Sequence, residues 1–408
     1  MKRADGLNSP GETDMTRTKR NLSLSEFSEL LCSDSLGADL GKVGCKFVRS
    51  MLHGVSRSRS VNLTEIAKGL DEKISLHATH KRLSRNLDDP ELTANLSDRL
   101  LKLRAAQVDA ETRIIVHRYE LNKKFARKIE FLSKSDDLPT AGFKVCEILA
   151  SEPGSQTYLP LLAHVWSDQV PGYVSDSDEI LKSVRQVLAA TGNKGMLYFD
   201  DHSITQEILA PIMTDQHINY IMLVRDDDVE VSFRKKNYSM KEMLSRVETR
   251  YGKILYKLVP DGVFGAKTDL DLFMHVGSVG VKMPTSDRSL SFIALKTESS
   301  YLGEAATPIL TTRINLRSRK ALMGLIDSFL SIQDIVGMHR TLRDSFNPEN
   351  FRVLTFNRLQ LLMTLLESVI HYKLAMGGDE LVSDRMFAPK PHDGQFERTY
   401  LLPGQHNG

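Results

Sequence analysis

The chain reads as an α/β protein, with a mixed sheet flanked by helices, an all-helical module before it and a β-rich insertion within it. Three observations lead there. From Leu24 to about Ala110, apolar residues recur at helical intervals. The period then changes to short β-branched runs that alternate with amphipathic helices, as expected where helices cover a sheet. Between Asp226 and Ser300, most segments alternate in the two-residue rhythm of strands.

Composition sets the outer limits. A chain of 408 residues is long enough for two or three domains and a sizeable core. Its hydrophobic (41%) and charged (26%) fractions are ordinary for a soluble globular protein. The net charge is +2, so affinity for nucleic acid has to come from local clusters rather than a global basic field. No uninterrupted apolar run approaches the roughly 20 residues that cross a bilayer. The opening MKRADGLNSPGETDMTRTKR has no secretory apolar core, so no membrane partner is expected. Cys32, Cys45 and Cys146 show no CxxC or Cys/His metal spacing, which points to reduced thiols in a cytoplasmic protein.

The elements follow in order. Residues 1–21 are poor in apolar side chains and are expected as a disordered tail. Residues 22–110 form the helical module, whose first stretch is loosened by Gly37, Gly41, Gly44 and Gly54. In VNLTEIAKGLDEKISLHATHKRLSRNLDD, Asn62 or Thr64 caps one helix and Ser75 to Asn86 forms a second, giving a helix-turn-helix. ELTANLSDRLLKLRAAQVDA is a linking helix. Residues 111–225 hold the first part of the α/β core. TRIIVHRY, FKVCEILA, YLPLLAHVWS, GMLYFD and INYIMLVR are its strands. DSDEILKSVRQVLAATG, closed by Gly192, and HSITQEILAPIMTDQ are its helices. Residues 226–303 are the insertion, with VEVSFRKK, KILYKLVP, LDLFMHVGSVGVKM and SLSFIALKT as strands around the helix MKEMLSRVETRY. Residues 304–378 resume the core with TPILTTRI and two long helices, SRKALMGLIDSFLSIQDIVGMHRTLRDS and FRVLTFNRLQLLMTLLESVIHYKLAMGG. Residues 379–408 are a loose tail.

Phe329, Ile332, Val336 and Arg343 carry the most specific pattern. Their spacing matches the Tyr-x2-Arg-x3-Glu-x6-Lys signature of one branch of bacterial insertion-sequence transposases, here within SFLSIQDIVGMHRTLRDSF. Further segments are similar to that family in the family's order. They are VNLTEIAKGLDEKISLHATHKRLSRNL, IIVHRYELNKKFARKIEFL, GNKGMLYFDDHSITQEILAPIM with INYIMLVR, and TPILTTRINLRSRKAL through RLQLLMTLL. The chain thus resembles the DDE transposases over most of its length. The resemblance implies an RNase H-like core and three carboxylates around paired Mg²⁺ ions for in-line phosphoryl transfer on DNA. It also implies double-stranded DNA with end-like repeats as partner, and a homodimer.

Carried over residue by residue, the first-acid position holds His117, the second Asp200 and the third Val336. Only Asp200 is a carboxylate and hence a Mg²⁺ ligand, and valine cannot coordinate a cation. The implied reading is a transposase-family DNA-binding protein with impaired cleavage, using Mg²⁺ or no cofactor at all. Two alternatives stay open. One is an active metal-dependent transposase with an unusual ligand set drawing on Glu120, Asp201 or Asp334; the other is a protein-interaction scaffold. The same residues also have structural readings. His117 suits a hydrogen-bonded core position, Asp200 a helix cap, Asp226 to Asp228 a turn, and Ile332 with Val336 a core stripe.

Basic residues cluster in three places. His77, Lys81 and Arg85 recur at four-residue steps on one helix face, with His80 and Arg82 beside them, a face that suits phosphates or a major groove as well as solvent. Lys123, Lys124, Arg127 and Lys128 form a second cluster. Arg313, Arg317, Arg319 and Lys320 form a third beside the signature helix, extended by Arg340 and Arg343. In transposases of this kind such residues flank the active site and hold the DNA backbone, so salt-sensitive DNA binding is expected.

Overall fold

The computed structural model describes residues 22–37, 39–123, 128–134, 141–199, 210–213, 215, 217–224, 229–260, 267–284, 286–299 and 303–375. Five helices come first: α1 (Leu24–Leu31), α2 (Gly41–Ser58), α3 (Leu63–Leu70), α4 (Leu76–Asn86) and α5 (Pro90–Ala105). Their starts follow the capping residues. Ser23 and Glu26 form a reciprocal box on α1, Asn62 accepts from Thr64 N at 3.0 Å, and Ser75 accepts from Ala78 N at 3.3 Å. Asp89 caps α5, where Pro90 supplies a first-turn residue that needs no N–H partner.

Gly54 has the opposite role from the one expected. Helix α2 runs unbroken through it, and α3 crosses there so closely that a Cβ would lie 2.6 Å from Ile66 Cγ2 and 3.1 Å from Ile66 O. Glycine tightens the α2–α3 contact.

The sheet is mixed. Its core strands are β1 (Arg113–Asn122), β3 (Ala141–Ser151), β4 (Tyr158–Trp166), β5 (Met196–Phe199) and β6 (Tyr220–Leu223), with the short β2 (Ser133–Lys134) beside β3. Helix α6 (Asp176–Thr191) joins β4 to β5 and ends at Gly192 with φ 64°. Spatial order is β4-β3-β1-β5-β6; β3 is antiparallel to β1 and β4, whereas β5 and β6 run parallel to β1. Next come β7 (Glu230–Phe233), β8 (Lys236–Ser239), α7 (Met240–Arg246), β9 (Tyr251–Pro260), β10 (Lys267–Lys282), β11 (Ser289–Ser299) and β12 (Gly303–Thr311). Because β12 pairs antiparallel with β6 and β11 with β12, the strands expected as an insertion continue the core sheet.

Helices cover both faces. On one, Ile114, Val116, Cys146, Ile148, Leu197 and Phe199 pack with Ile180, Val184 and Val187 of α6. On the other, Ile115, Leu149, Tyr198, Ile221 and Ile309 meet α8 (Arg319–Leu330) and α9 (Ile332–Asp344). Further along that face, Leu121, Phe143 and Val145 join α10 (Phe356–Ala375) and the N-terminal helices in one continuous core. α10 is buried on nearly every side, which explains its almost unbroken apolar sequence.

One sequence expectation changes here. The long helix expected to carry Phe329 and Val336 breaks at Ser331 into α8 and α9. Arg113, fully buried at the start of β1, donates to Ser331 Oγ at 2.7 Å and to Ser328 O at 3.3 Å across that break. Its guanidinium also reaches Ser151 Oγ and Glu152 O, both at 2.8 Å, so one side chain ties the helix junction to the β3–β4 turn. By length and composition alone the stretch Arg319–Asn350 is long and apolar enough to cross a bilayer. Its apolar residues Leu322, Ile326, Ile332, Ile335 and Val336 are spent against the sheet.

Two outcomes follow. Gly54→Ala, normally a helix-stabilising change by about 1 kcal/mol, should here destabilise by about 1–3 kcal/mol through overpacking. A partial recovery in Gly54→Ala/Ile66→Val, read by urea unfolding, checks the contact. At the start of α6, burial opposes the charge of Asp176, but Lys144 at 2.6 Å, with the Trp166 and Tyr173 donors at 2.9 Å, holds its carboxyl below the usual range. A lowered carboxylate contributes stability above its unfolded value of about 3.9, and that contribution fades as pH falls through the folded value. Asp176→Asn should therefore cost stability at neutral pH, with the difference from wild type shrinking below about pH 4 in melts recorded across pH.

Candidate functional site

The most heavily charged buried region lies where β1 and β3 face α9 and α10. His117 on β1 is directly opposite Glu147 on β3, so the two side chains share one face of the sheet. Glu147 is fully buried. Over it, one face of α9 presents Val336, His339 and Arg343 in successive turns. Arg343 Nη1 donates to Glu147 Oε2 at 3.0 Å, and His339 Nε2 lies 3.2 Å from Glu147 Oε1. The Arg343 guanidinium also sits 3.6 Å above the centre of the Tyr119 ring, while the Tyr158 ring meets His339 edge-on at 5.5 Å. From α10 comes Glu367, buried, with its Oε2 lacking a hydrogen-bond partner among the described residues.

Charges here control one another. Burial works against ionisation of Glu147, but His339 and Arg343 outweigh it and hold its carboxyl well below the usual range. Burial pulls His339 down, yet Glu147 raises it overall. Burial and the charge of Glu147 both push Glu367 up. Burial raises the Tyr119 hydroxyl far above its ordinary value, with Glu147 adding to the rise. Beneath α10, Arg104 donates to Leu161 O at 3.1 Å and to Glu367 O at 2.9 Å, and burial brings it down to about 10 against the pull of Glu367.

The residues singled out from sequence distribute unevenly. His117 is buried on β1 and its ring stacks 6.3 Å from that of Tyr119. Val336 is buried in the apolar cluster with Ile115, Leu149 and Ile332. Asp200, Asp201, Lys124, Arg127 and Asp226 to Asp228 lie outside the described residues. Glu120 is exposed on β1 and Asp334 half-buried on α9. His117 and Val336 therefore offer an imidazole and a methyl-bearing side chain, neither of which is the carboxylate that Mg²⁺ prefers.

Among the basic residues, His77, Lys81 and Arg85 are exposed on α4, while Arg82 turns back to Glu72 at 2.7 Å. Arg317, Arg319, Lys320 and Arg340 are exposed. Lys123 is half-buried, donating to Phe351 O at 2.7 Å and capping the Phe351 ring at 4.0 Å. Arg343 is the correction. Expected to extend a basic surface, it is buried and paired with Glu147, whose charge offsets the cost of taking the guanidinium out of water.

Sequence reasoning missed Glu147, His339 and Glu367. The signal was present: Glu147 is the one acid inside FKVCEILA, Glu367 interrupts LLMTLLESVI, and His339 lies three residues past Val336 and four before Arg343. Glu147→Gln should destabilise the protein by about 3–5 kcal/mol by stranding buried charge. Glu147→Gln/Arg343→Met should recover a substantial part of that loss in denaturant melts; no recovery would mean the pair does not interact.

No family model matches the chain, and no curated protein matches it. Among solved structures it is similar to the piggyBac transposase synaptic complex with hairpin DNA, with a TM-score of 0.45 and 10% sequence identity over 90% of this chain and 78% of that one.

Proposed function

We propose that this chain is a DNA-binding protein on a transposase-type, RNase H-like framework, with strand-cleavage chemistry impaired. The strand order, with three antiparallel strands followed by two parallel to the first, fits an RNase H-like core. The N-terminal caps and the short turn between α3 and α4 fit a helix-turn-helix whose second helix offers His77, Lys81 and Arg85 to a groove.

One observation carries the impaired reading. The helix resembling the metal-facing signature turns Val336 into an apolar cluster and Arg343 into an internal ion pair, so neither signature position supplies a carboxylate. A working DDE site would direct carboxylates there towards Mg²⁺. Asp200 remains the carboxylate on which any residual cleavage would depend. We further propose a homodimer acting inside the cell on duplex DNA with end-like repeats.

A gel shift with DNA flanking the protein's own gene should show binding that weakens steeply with salt. Lys81→Ala/Arg85→Ala should lower affinity and flatten the salt dependence; unaltered binding in that variant would remove α4 from the interface. In a nicking assay with Mg²⁺ or Mn²⁺, wild type should match Asp200→Ala. Metal-dependent cleavage abolished by that substitution would instead establish an active transposase.

A further inference from the structure

We infer that Glu147, His339 and Glu367 bind one divalent transition-metal ion of the Zn²⁺ and Mn²⁺ class. One ligand atom from each lies within 4.8 Å of the other two. They come from three separate elements, β3, α9 and α10, which close over one point. All three are nearly inaccessible to solvent, at 0, 1 and 4% exposure respectively. Buried polar atoms nearly always find partners, yet Glu147 Oε1, Glu367 Oε2 and both ring nitrogens of His339 have no hydrogen-bond partner among the described residues. His339 Nε2 lies 3.2 Å from Glu147 Oε1 as an ion-pair contact. A cation would take the place of the proton shared between His339 and Glu147, leaving each of the three side chains one lone pair to turn towards it.

The donor set selects the ion. An imidazole with two carboxylates suits Zn²⁺ or Mn²⁺, whereas Mg²⁺ prefers all-oxygen ligands and keeps several waters for which this interior has little room. Two arginines flank the donors. Arg343 already holds the second oxygen of Glu147, and Arg104 lies beneath Glu367. What limits the site to one ion is geometry, since the three donor atoms converge on a single point. Arg343 then orients Glu147 as an outer hydrogen-bond donor orients a metal ligand. None of its three ligands is His117 or Val336, and it does not depend on the DNA-binding reading.

The full chain, stripped with chelator, would be dialysed separately against Zn²⁺, Mn²⁺ and Mg²⁺ and its metal content measured by mass spectrometry. One equivalent of Zn²⁺ or Mn²⁺ and no stoichiometric Mg²⁺ is expected. His339→Gln and Glu367→Gln should each weaken uptake at least about tenfold, while His53→Gln, exposed on α2, leaves it unchanged. Co²⁺ loading should give a visible absorption band in wild type that His339→Gln loses. Should either variant fail to fold by circular dichroism, wild-type stoichiometry and the Co²⁺ band decide alone. Less than one equivalent bound, no Co²⁺ band, or uptake unaffected in both folded variants overturns the site.

Discussion

A fully buried carboxylate must be matched by charge, and Glu147 imposes that condition on the middle of this fold. An isolated ion at such depth is prohibitively costly. Arg343 and His339, one turn apart on α9, remove the cost only if that helix lies at one height and rotation over β1 and β3. Buried pairs of this kind add little net stability compared with apolar packing, but their loss is severe. The pair thus sets the register of α9, and the adjacent turns, with Ile332 and Val336, fall onto Ile115 and Leu149 as a consequence.

Buried arginines repeat this device at other junctions. Arg113 joins the start of β1 to the α8–α9 break and the β3–β4 turn. Arg99 of α5 donates to Leu31 O and Ser33 O, both at 2.7 Å, and so closes the end of α1. Arg104 links β4 to the middle of α10. In each case one forked donor reaches acceptors on two separate segments, a geometry that a lysine's single nitrogen could not reproduce.

The helical module and the sheet share one core through α10. Phe47, Met51 and Leu52 of α2 belong to the same cluster as Leu121, Phe143 and Val145 of the sheet, with Leu362, Leu366 and Ile370 among the α10 residues between them. The exposed basic face of α4 is therefore carried on a packed support rather than a tether. Its neighbour Arg82, paired with Glu72, stiffens the approach to α4 instead of facing outwards.

Local chemistry was legible in the residues alone. Ser23, Asn62, Ser75 and Gly192 bound helices because capping depends on a few adjacent atoms, and TRIIVHRY or GMLYFD reads as strand because burial on a sheet selects β-branched and aromatic side chains. The burial of Ile332 and Val336 at one-turn spacing was visible in the same way. Tertiary structure alone decided which way the polar exceptions pointed. Glu147 and Arg343 are 196 residues apart, and nothing local distinguishes an arginine bound for solvent from one that meets a carboxylate inside. Gly54 shows the same division: its lack of a side chain is written in the sequence, but its role appears only when Ile66 of another helix lies against it.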